Sequence, residues 1–151
     1  MSDPTDFLST IDKSGFSVEP YGRKIMKPWG YEIILTASDA PYAAKIMHIN
    51  AGARLSLQAH DKKTETWTLH SGKAAVMIEN SLGELERIVL TPGRGYTSAI
   101  GQRHRLIGIE DCDVFEASTP EIGITLRIED DYFRPNETEA MRAEPNRGFN
   151  T

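Results

Sequence analysis

Between Tyr31 and about Ile128 the apolar residues recur in short runs, each closed by a turn residue. Runs rich in Ile, Val, Leu, Thr and aromatics occupy 31–36, 43–49, 54–60, 65–71, 73–80, 84–90, 103–109, 112–118 and 123–129, and each predicts a strand. Gly52, Gly72, Gly83, Pro92-Gly93, Gly95 and Gly101 punctuate them. Many short strands with little helix between them point to a sandwich or a barrel. Within Arg54-Leu55-Ser56-Leu57-Gln58-Ala59-His60 polar and apolar residues alternate strictly. Successive strand side chains point to opposite faces, so Arg54, Ser56, Gln58 and His60 are expected on one face and Leu55, Leu57 and Ala59 on the other.

The two ends follow a different pattern. Asp3 as N-cap, Pro4 at the first helical position and Gly15 as stop predict a short helix, whose Phe7, Leu8 and Ile11 are expected to pack on the core. Residues 16–30 carry Pro20, Gly22, Pro28 and Gly30 and read as an extended connection. Asn136 and Glu139 have capping-box spacing, and the chain beyond Arg142 is expected to be disordered. The organisation expected is an N-terminal arm over 1–26, a β-barrel over 27–134 and a polar tail over 135–151.

Composition narrows the function classes. The 151 residues suffice for one domain, and 17 Lys and Arg against 22 Asp and Glu leave a net charge of -5. That balance argues against a nucleic-acid partner and offers little to an anionic membrane. No apolar run approaches the ~20 residues that span a bilayer. The lone cysteine, Cys112, and an acidic N-terminus without an apolar signal core fit a cytoplasmic protein.

The candidate chemistry lies around the alternating segment. Taken alone, Arg54–His60 reads as a solvated outer strand. Five residues after His60 comes Glu65, opening Glu65-Thr66-Trp67-Thr68-Leu69-His70, and a tight connection brings it back beside His60. Far along the chain, His104 sits between Gly101 and the apolar Leu106-Ile107. Imidazole, carboxylate and amide oxygen are suitable donors for a divalent transition ion. Gln58 and His60 from one strand, with Glu65 and His104 from its neighbours, can surround one ion inside a barrel.

At these residues the chain resembles the cupins, whose motifs are G-x5-H-x-H-x(3–4)-E-x6-G and G-x5-P-x-G-x2-H-x3-N. The first maps onto Gly52, Gln58, His60, Glu65 and Gly72 without a gap, and the second onto Gly93, Ala99, Gly101, His104 and Gly108. Gln58, Ala99 and Gly108 replace the usual histidine, proline and asparagine. A narrower resemblance, over roughly residues 27–134, is to type II mannose-6-phosphate isomerases. It rests on Lys27-Pro28-Trp29-Gly30-Tyr31, Arg54–His60, Glu65-Thr66-Trp67, Ser71-Gly72, His104-Arg105-Leu106 and Ile128-Glu129-Asp130-Asp131-Tyr132. In that family glutamine is usual at the place of Gln58. Where the family carries a histidine-rich run, this chain has Asp61-Lys62-Lys63.

The resemblance implies an all-β, small antiparallel barrel or jelly roll, with a divalent metal inside. The implied ligands are Gln58, His60, Glu65 and His104. Zinc is the first candidate ion, with manganese, iron, cobalt and nickel as alternatives. The implied activity is aldose–ketose isomerisation of a sugar phosphate. Glu65 or Glu116 would shuttle the proton, Arg54 and Lys45 would contact the phosphate, and Trp67 would wall the pocket. Arg103 and Arg105, of opposite parity to His104, are expected to face water. Leu55 and Leu57, pointing outward, are expected to be covered by a second subunit in a homodimer, by the N-terminal helix, or by both. A non-catalytic cupin binding a sugar or nucleotide sugar and a cupin dioxygenase are the alternatives.

Overall fold

The computed structural model describes residues 3–145 and 147–149. A short helix α1 (Pro4–Ser9) precedes the strands β1 (Arg23–Lys27), β2 (Gly30–Ile34), β3 (Ala43–Ile49) and β4 (Leu57–His60). Next come β5 (Glu65–Ser71), β6 (Ala74–Glu79), β7 (Leu85–Val89) and β8 (Tyr96–Ser98). The strands β9 (His104–Gly108), β10 (Cys112–Ser118) and β11 (Thr125–Glu129) follow, and a one-turn helix α2 (Glu139–Arg142) stands after them. Two antiparallel sheets result, ordered β1-β2-β3-β10-β5-β8 and β11-β4-β9-β6-β7. No helix among the described residues is long and apolar enough to cross a membrane.

The inner face is stratified, and this stratification positions the site. Along β3 the inward residues run Ile49, Met47, Lys45; along β10 they run Cys112, Val114, Glu116; along β5 they run Leu69, Trp67, Glu65. Antiparallel pairing sets Glu116 opposite both Lys45 and Trp67, and Val114 opposite Met47 and Leu69. The apolar members therefore gather at one end with Trp29, Val76, Leu90 and Leu106, while the charged members gather at the other. Burying each such apolar side chain contributes about 1.5–3 kcal/mol, and this floor is the hydrophobic core. Gly72 closes it tightly: its φ is +76°, and a Cβ there would lie 2.0 Å from the Asp111 carbonyl oxygen.

Several expectations change. The predicted strands over 43–49, 65–71 and 112–118 form over the same residues, but 54–60 contracts to Leu57–His60, preceded by a single bridge from Arg54 to Ile107. The expected alternation holds from Ser56 on, with Ser56, Gln58 and His60 on the cavity side and Leu57 and Ala59 on the other, and fails only at Arg54 and Leu55. Leu55 packs against the core and Leu57 is 5% exposed, so the surface on which a second subunit was expected is covered within the chain. Two strands escaped the pattern: β1, in which only Ile25 and Lys27 are buried, and the three-residue β8. Helix α1 stops at Ser9, short of Gly15, and buries no residue; Phe7 and Leu8 are exposed, so it does not pack on the core. The expected capping box is absent. Thr138 caps α2, while Asn136 accepts from the Arg127 backbone and Glu139 from the Gly123 backbone. The segment after Arg142, expected to be disordered, carries Arg147 at 4% exposure, and Gly148 packs on Met26.

Two outcomes follow from these contacts. Gly72→Ala loses about 1–3 kcal/mol of stability, from the left-handed backbone alone, before the Asp111 clash is added. Deletion of residues 1–20 changes stability by no more than about 0.5 kcal/mol, because α1 buries nothing. Urea unfolding of both variants measures each change.

Candidate metal centre and charged cavity

His60 ends β4 and His104 opens β9, with Gln58 and His104 in register between those strands. Glu65 opens β5 on the opposing sheet. The three side chains are buried, and their ligand atoms all lie within 4.8 Å of one another. Glu65 Oε1 is 3.1 Å from His60 Nε2 and 2.8 Å from His104 Nε2. Ligand atoms sharing one transition ion at ~2.0–2.1 Å stand about 3 Å apart, so the cluster has the right dimensions.

The hydrogen bonds carry the same message. His104 Nδ1 lies 2.9 Å from the Gln102 carbonyl oxygen, an acceptor, so Nδ1 holds the proton and donates it there. In the neutral ring Nε2 is then bare, and it faces a carboxylate oxygen. Two acceptors at that distance require a cation between them, either a proton or a metal ion. A backbone carbonyl that orients a histidine in this way is the usual partner of a metal-ligating imidazole. His60 Nδ1 lies 3.2 Å from Thr125 Oγ1. Gln58 is less well placed: its Oε1 accepts from Ser56, and its amide nitrogen lies 3.5 Å from His104 Nε2. The residues fit a divalent ion, with His60, Glu65 and His104 as the donor set.

Around this cluster the charges interlock. Lys63 Nζ is 2.9 Å from Glu65 Oε2 and donates to Glu116 Oε2 at 3.0 Å. Trp67 Nε1 donates to the other Glu116 oxygen at 3.3 Å. Burial favours the neutral form of Glu65, yet Lys63 and the hydrogen bonds from His104 and His60 outweigh it and hold the carboxyl well below its ordinary range. Glu116 goes the other way. Burial, followed by the neighbouring Glu65 carboxylate, pushes it up to about 7 against the pull of Lys45 and Lys63. Two adjacent carboxyl groups thus have their proton affinities driven apart. Burial also pushes the His60 imidazole below its ordinary value, and Glu65 compensates only in part.

Beyond Glu116 the network continues. Lys45 Nζ is 2.7 Å from Glu121, 3.1 Å from Glu32 and 3.7 Å from Glu116. These three carboxylates overcome burial and hold the Lys45 ammonium charged, well above its ordinary value. Glu137 takes Arg142 at 3.0 Å and Arg147 at 3.1 Å. The cavity among these groups has a volume of about 60 Å³. That is room for a few water molecules.

Of the residues singled out in the sequence, His60, Glu65, His104, Gln58, Glu116 and Lys45 meet here. Arg54 does not. It is exposed, and its guanidinium makes a two-point contact with Asp131 at 2.7 and 2.8 Å, because the irregular segment before β4 puts Leu55 and Ser56 toward the cavity in its place. Trp67 lies beneath the cavity, its ring centroid 4.9 Å from that of His104. Arg105 points away from the site as expected but does not face water. It is 4% exposed and donates to the Leu55 carbonyl at 2.7 Å. Sequence reasoning missed Lys63, Glu32, Glu121 and Arg147. The parity of Lys63 with Glu65 could have revealed the first, and a lone acid within Gly30-Tyr31-Glu32-Ile33-Ile34 the second. No local pattern marks Glu121 or Arg147.

Comparisons with known proteins agree with this geometry. Residues 16–107 match the family described as mannose-6-phosphate isomerase C-terminal. The xanthan biosynthesis protein XanB of Xanthomonas campestris pv. campestris is 31% identical over 135 residues, 85% of this chain and 27% of the relative. The alginate biosynthesis protein AlgA of Pseudomonas syringae pv. tomato is 27% identical over 139 residues, 88% of this chain and 27% of the relative. This chain thus spans about a quarter of the length of those curated relatives. Among solved structures, an oxalate decarboxylase from Bacillus subtilis superposes with a TM-score of 0.63 at 19% identity, over 78% of this chain and 34% of that one. KdgF from Halomonas sp. gives 0.54 at 19% identity, over 67% of this chain and 88% of that one. At such identities these structures speak for the cupin fold alone. The family match, covering more than half of the chain, goes further: the protein belongs to the mannose-6-phosphate isomerase C-terminal family of cupin domains.

Proposed function

We propose that the protein is a metal-dependent aldose–ketose isomerase acting on a sugar phosphate, with mannose 6-phosphate as the first candidate and zinc as the first candidate ion. The observation that carries this reading is the buried His60–Glu65–His104 donor set beside a glutamate whose carboxyl is pushed up to about 7, in a member of this family. A divalent ion held by these three residues would supply Lewis-acid stabilisation of negative charge on the substrate oxygens.

The remaining work falls to the chain's own groups. Aldose–ketose exchange moves one proton between adjacent carbons. A base near neutrality both accepts and returns it efficiently. Glu116 meets that condition. Its carboxylate would take the proton from one carbon and deliver it to the next, while Trp67 Nε1 and Lys63 Nζ hold its two oxygens in place. Glu65, kept ionised by Lys63, stays with the histidines as a ligand in this assignment.

A sugar-binding protein without catalysis is the second reading. The small volume of the cavity favours it.

A coupled assay with mannose 6-phosphate and added zinc, manganese, cobalt or nickel separates the two readings. Metal-dependent turnover is expected, with kcat reduced about 100-fold or more in Glu116→Gln and in His104→Ala. Absence of turnover on every hexose and pentose phosphate tried, with metal bound, rejects the isomerase. A second outcome concerns pH. Metal-free Glu116 keeps its proton to about pH 7 in the folded state, while its ordinary value is 4.5. Between those values the folded protein binds more protons than the unfolded chain, so the wild type loses stability relative to Glu116→Gln as pH rises through that window. Thermal unfolding of both proteins in EDTA measures this, and parallel pH profiles would contradict it.

A further inference from the structure

Beside the charged cavity lies a second one, of about 400 Å³, lined by Tyr21, Arg23, Tyr42 and Ile122 among others. Sites for small organic molecules begin at ~300 Å³, so the outer cavity has the volume for such a ligand and the inner one does not. Lys45, Glu121, Arg142 and Arg147 line both cavities and form the wall between them. Three of these four side chains are cationic. The fourth, Glu121, sits among them, 2.7 Å from Lys45 and 3.4 Å from each terminal nitrogen of Arg147.

The wall is electrostatically uneven. Seven cationic side chains and five carboxylates line the inner cavity. Asp130 pairs with Arg134 at 2.9 Å, which leaves one surplus positive charge before any metal ion is added. Arg147 is 4% exposed, and its Nε finds no acceptor among the described residues; Arg127 Nε likewise has none. One oxygen of Glu32, a residue lining the same cavity, accepts no hydrogen bond; its nearest cations are Lys27 at 3.6 Å and Arg147 at 4.0 Å. Buried guanidinium donors rarely go unpaired. The unsatisfied donors call for an anion, and the unsatisfied acceptor calls for a hydroxyl.

We propose that Lys45, Arg142 and Arg147 form a phosphate-binding site at the junction of the two cavities, and that Glu121 occupies it as a placeholder which the substrate's phosphate displaces. The proposal rests on the sugar-phosphate reading above and assigns the phosphate to this wall, away from Arg54. Glu121 is suited to leave. Its side chain is 20% exposed, and it stands in the connection between β10 and β11, two residues before Gly123 with its φ of +74°. With Glu121 withdrawn, the wall presents three cations and opens the outer cavity to the inner one. A phosphate monoester carries a charge of about -1.5 to -2 near neutral pH and can accept from Arg147 Nε as well as from Lys45. The sugar hydroxyls can donate to Glu32. Arg142 stands two hydrogen bonds from the metal-ligand cluster, through Thr125 to His60, at 3.3 and 3.2 Å. That span suits a molecule with its phosphate at one end and its reacting carbons at the other.

Calorimetric titration of the EDTA-treated full chain with inorganic phosphate, at constant ionic strength, tests the site without relying on turnover. Wild type should bind phosphate saturably. Glu121→Gln should bind about tenfold more tightly, since the competing carboxylate is gone. Arg147→Gln should bind about tenfold more weakly or worse. Opposite signs from two ion-paired residues are what a purely structural role would not produce. If Arg147→Gln fails to fold, Arg147→Lys replaces it, and the sign of the Glu121→Gln change still decides. Binding by Glu121→Gln no tighter than wild type overturns the proposal. So does loss of binding on Arg54→Gln with retention in the Arg147 variant. Turnover of mannose 6-phosphate with unchanged phosphate binding in both wall variants removes this site and leaves the isomerase standing. The expected binding pattern without turnover of any sugar phosphate does the reverse.

Discussion

Buried charge has to meet buried charge, and inside this barrel that requirement runs from the His60–Glu65–His104 cluster to the far end of the described chain. An ion taken out of water costs several kcal/mol even after relaxation, and only a close partner recovers it. Glu65 and Glu116 meet Lys63; Glu32, Glu116 and Glu121 meet Lys45; Glu121 and Glu137 meet Arg147. These groups come from β2, β3, β5, β10, the turn before β5, the connection after β10 and the C-terminal segment. Movement of any one of them strands a charge on another. The same requirement explains why a polar tail is ordered: Arg147 holds it, through carboxylates it cannot leave exposed to nothing.

The regular strands were legible because one face of each is buried. In β3, β5 and β10 the period of two is intact from end to end, and the predicted residues coincide with the observed ones. Where pairing lapses, as in the single bridge at Arg54, counting parity from the first residue puts Arg54 inside and Leu55 outside, the reverse of what the fold does. β1 hid for another reason. Its inward positions are Ile25 and Lys27, and a buried lysine looks from the sequence like a solvated one. The N-terminal helix had its cap and its proline, but a stripe of three apolar residues does not say whether anything lies opposite to receive it.

Within the site, legibility followed chain distance. Gln58, His60 and Glu65 lie close along the chain, on two strands of opposing sheets joined by one short connection, so their spacing alone reports their meeting, and His104 adds a single register. Glu121 and Arg147 join through contacts that depend on the whole arrangement of both sheets and the tail. No periodicity encodes that meeting. Lys63 stands between the cases: it shares the parity of Glu65, yet in a lysine-bearing turn the ordinary expectation is a hydrated side chain.

The layering of β3, β5 and β10 separates two kinds of selection on one set of strands. Positions 47, 49, 67, 69, 112 and 114 supply the apolar burial that folds the barrel, whereas 45, 65 and 116 supply charges that apolar residues of similar volume match in stability only when the whole interlocked set is replaced together. One charged residue replaced alone strands its partners, whereas a concerted change of the set leaves the apolar floor untouched. A barrel built this way can alter the chemistry of its charged end by changing a few inward side chains together while the floor, and with it the fold, stays the same.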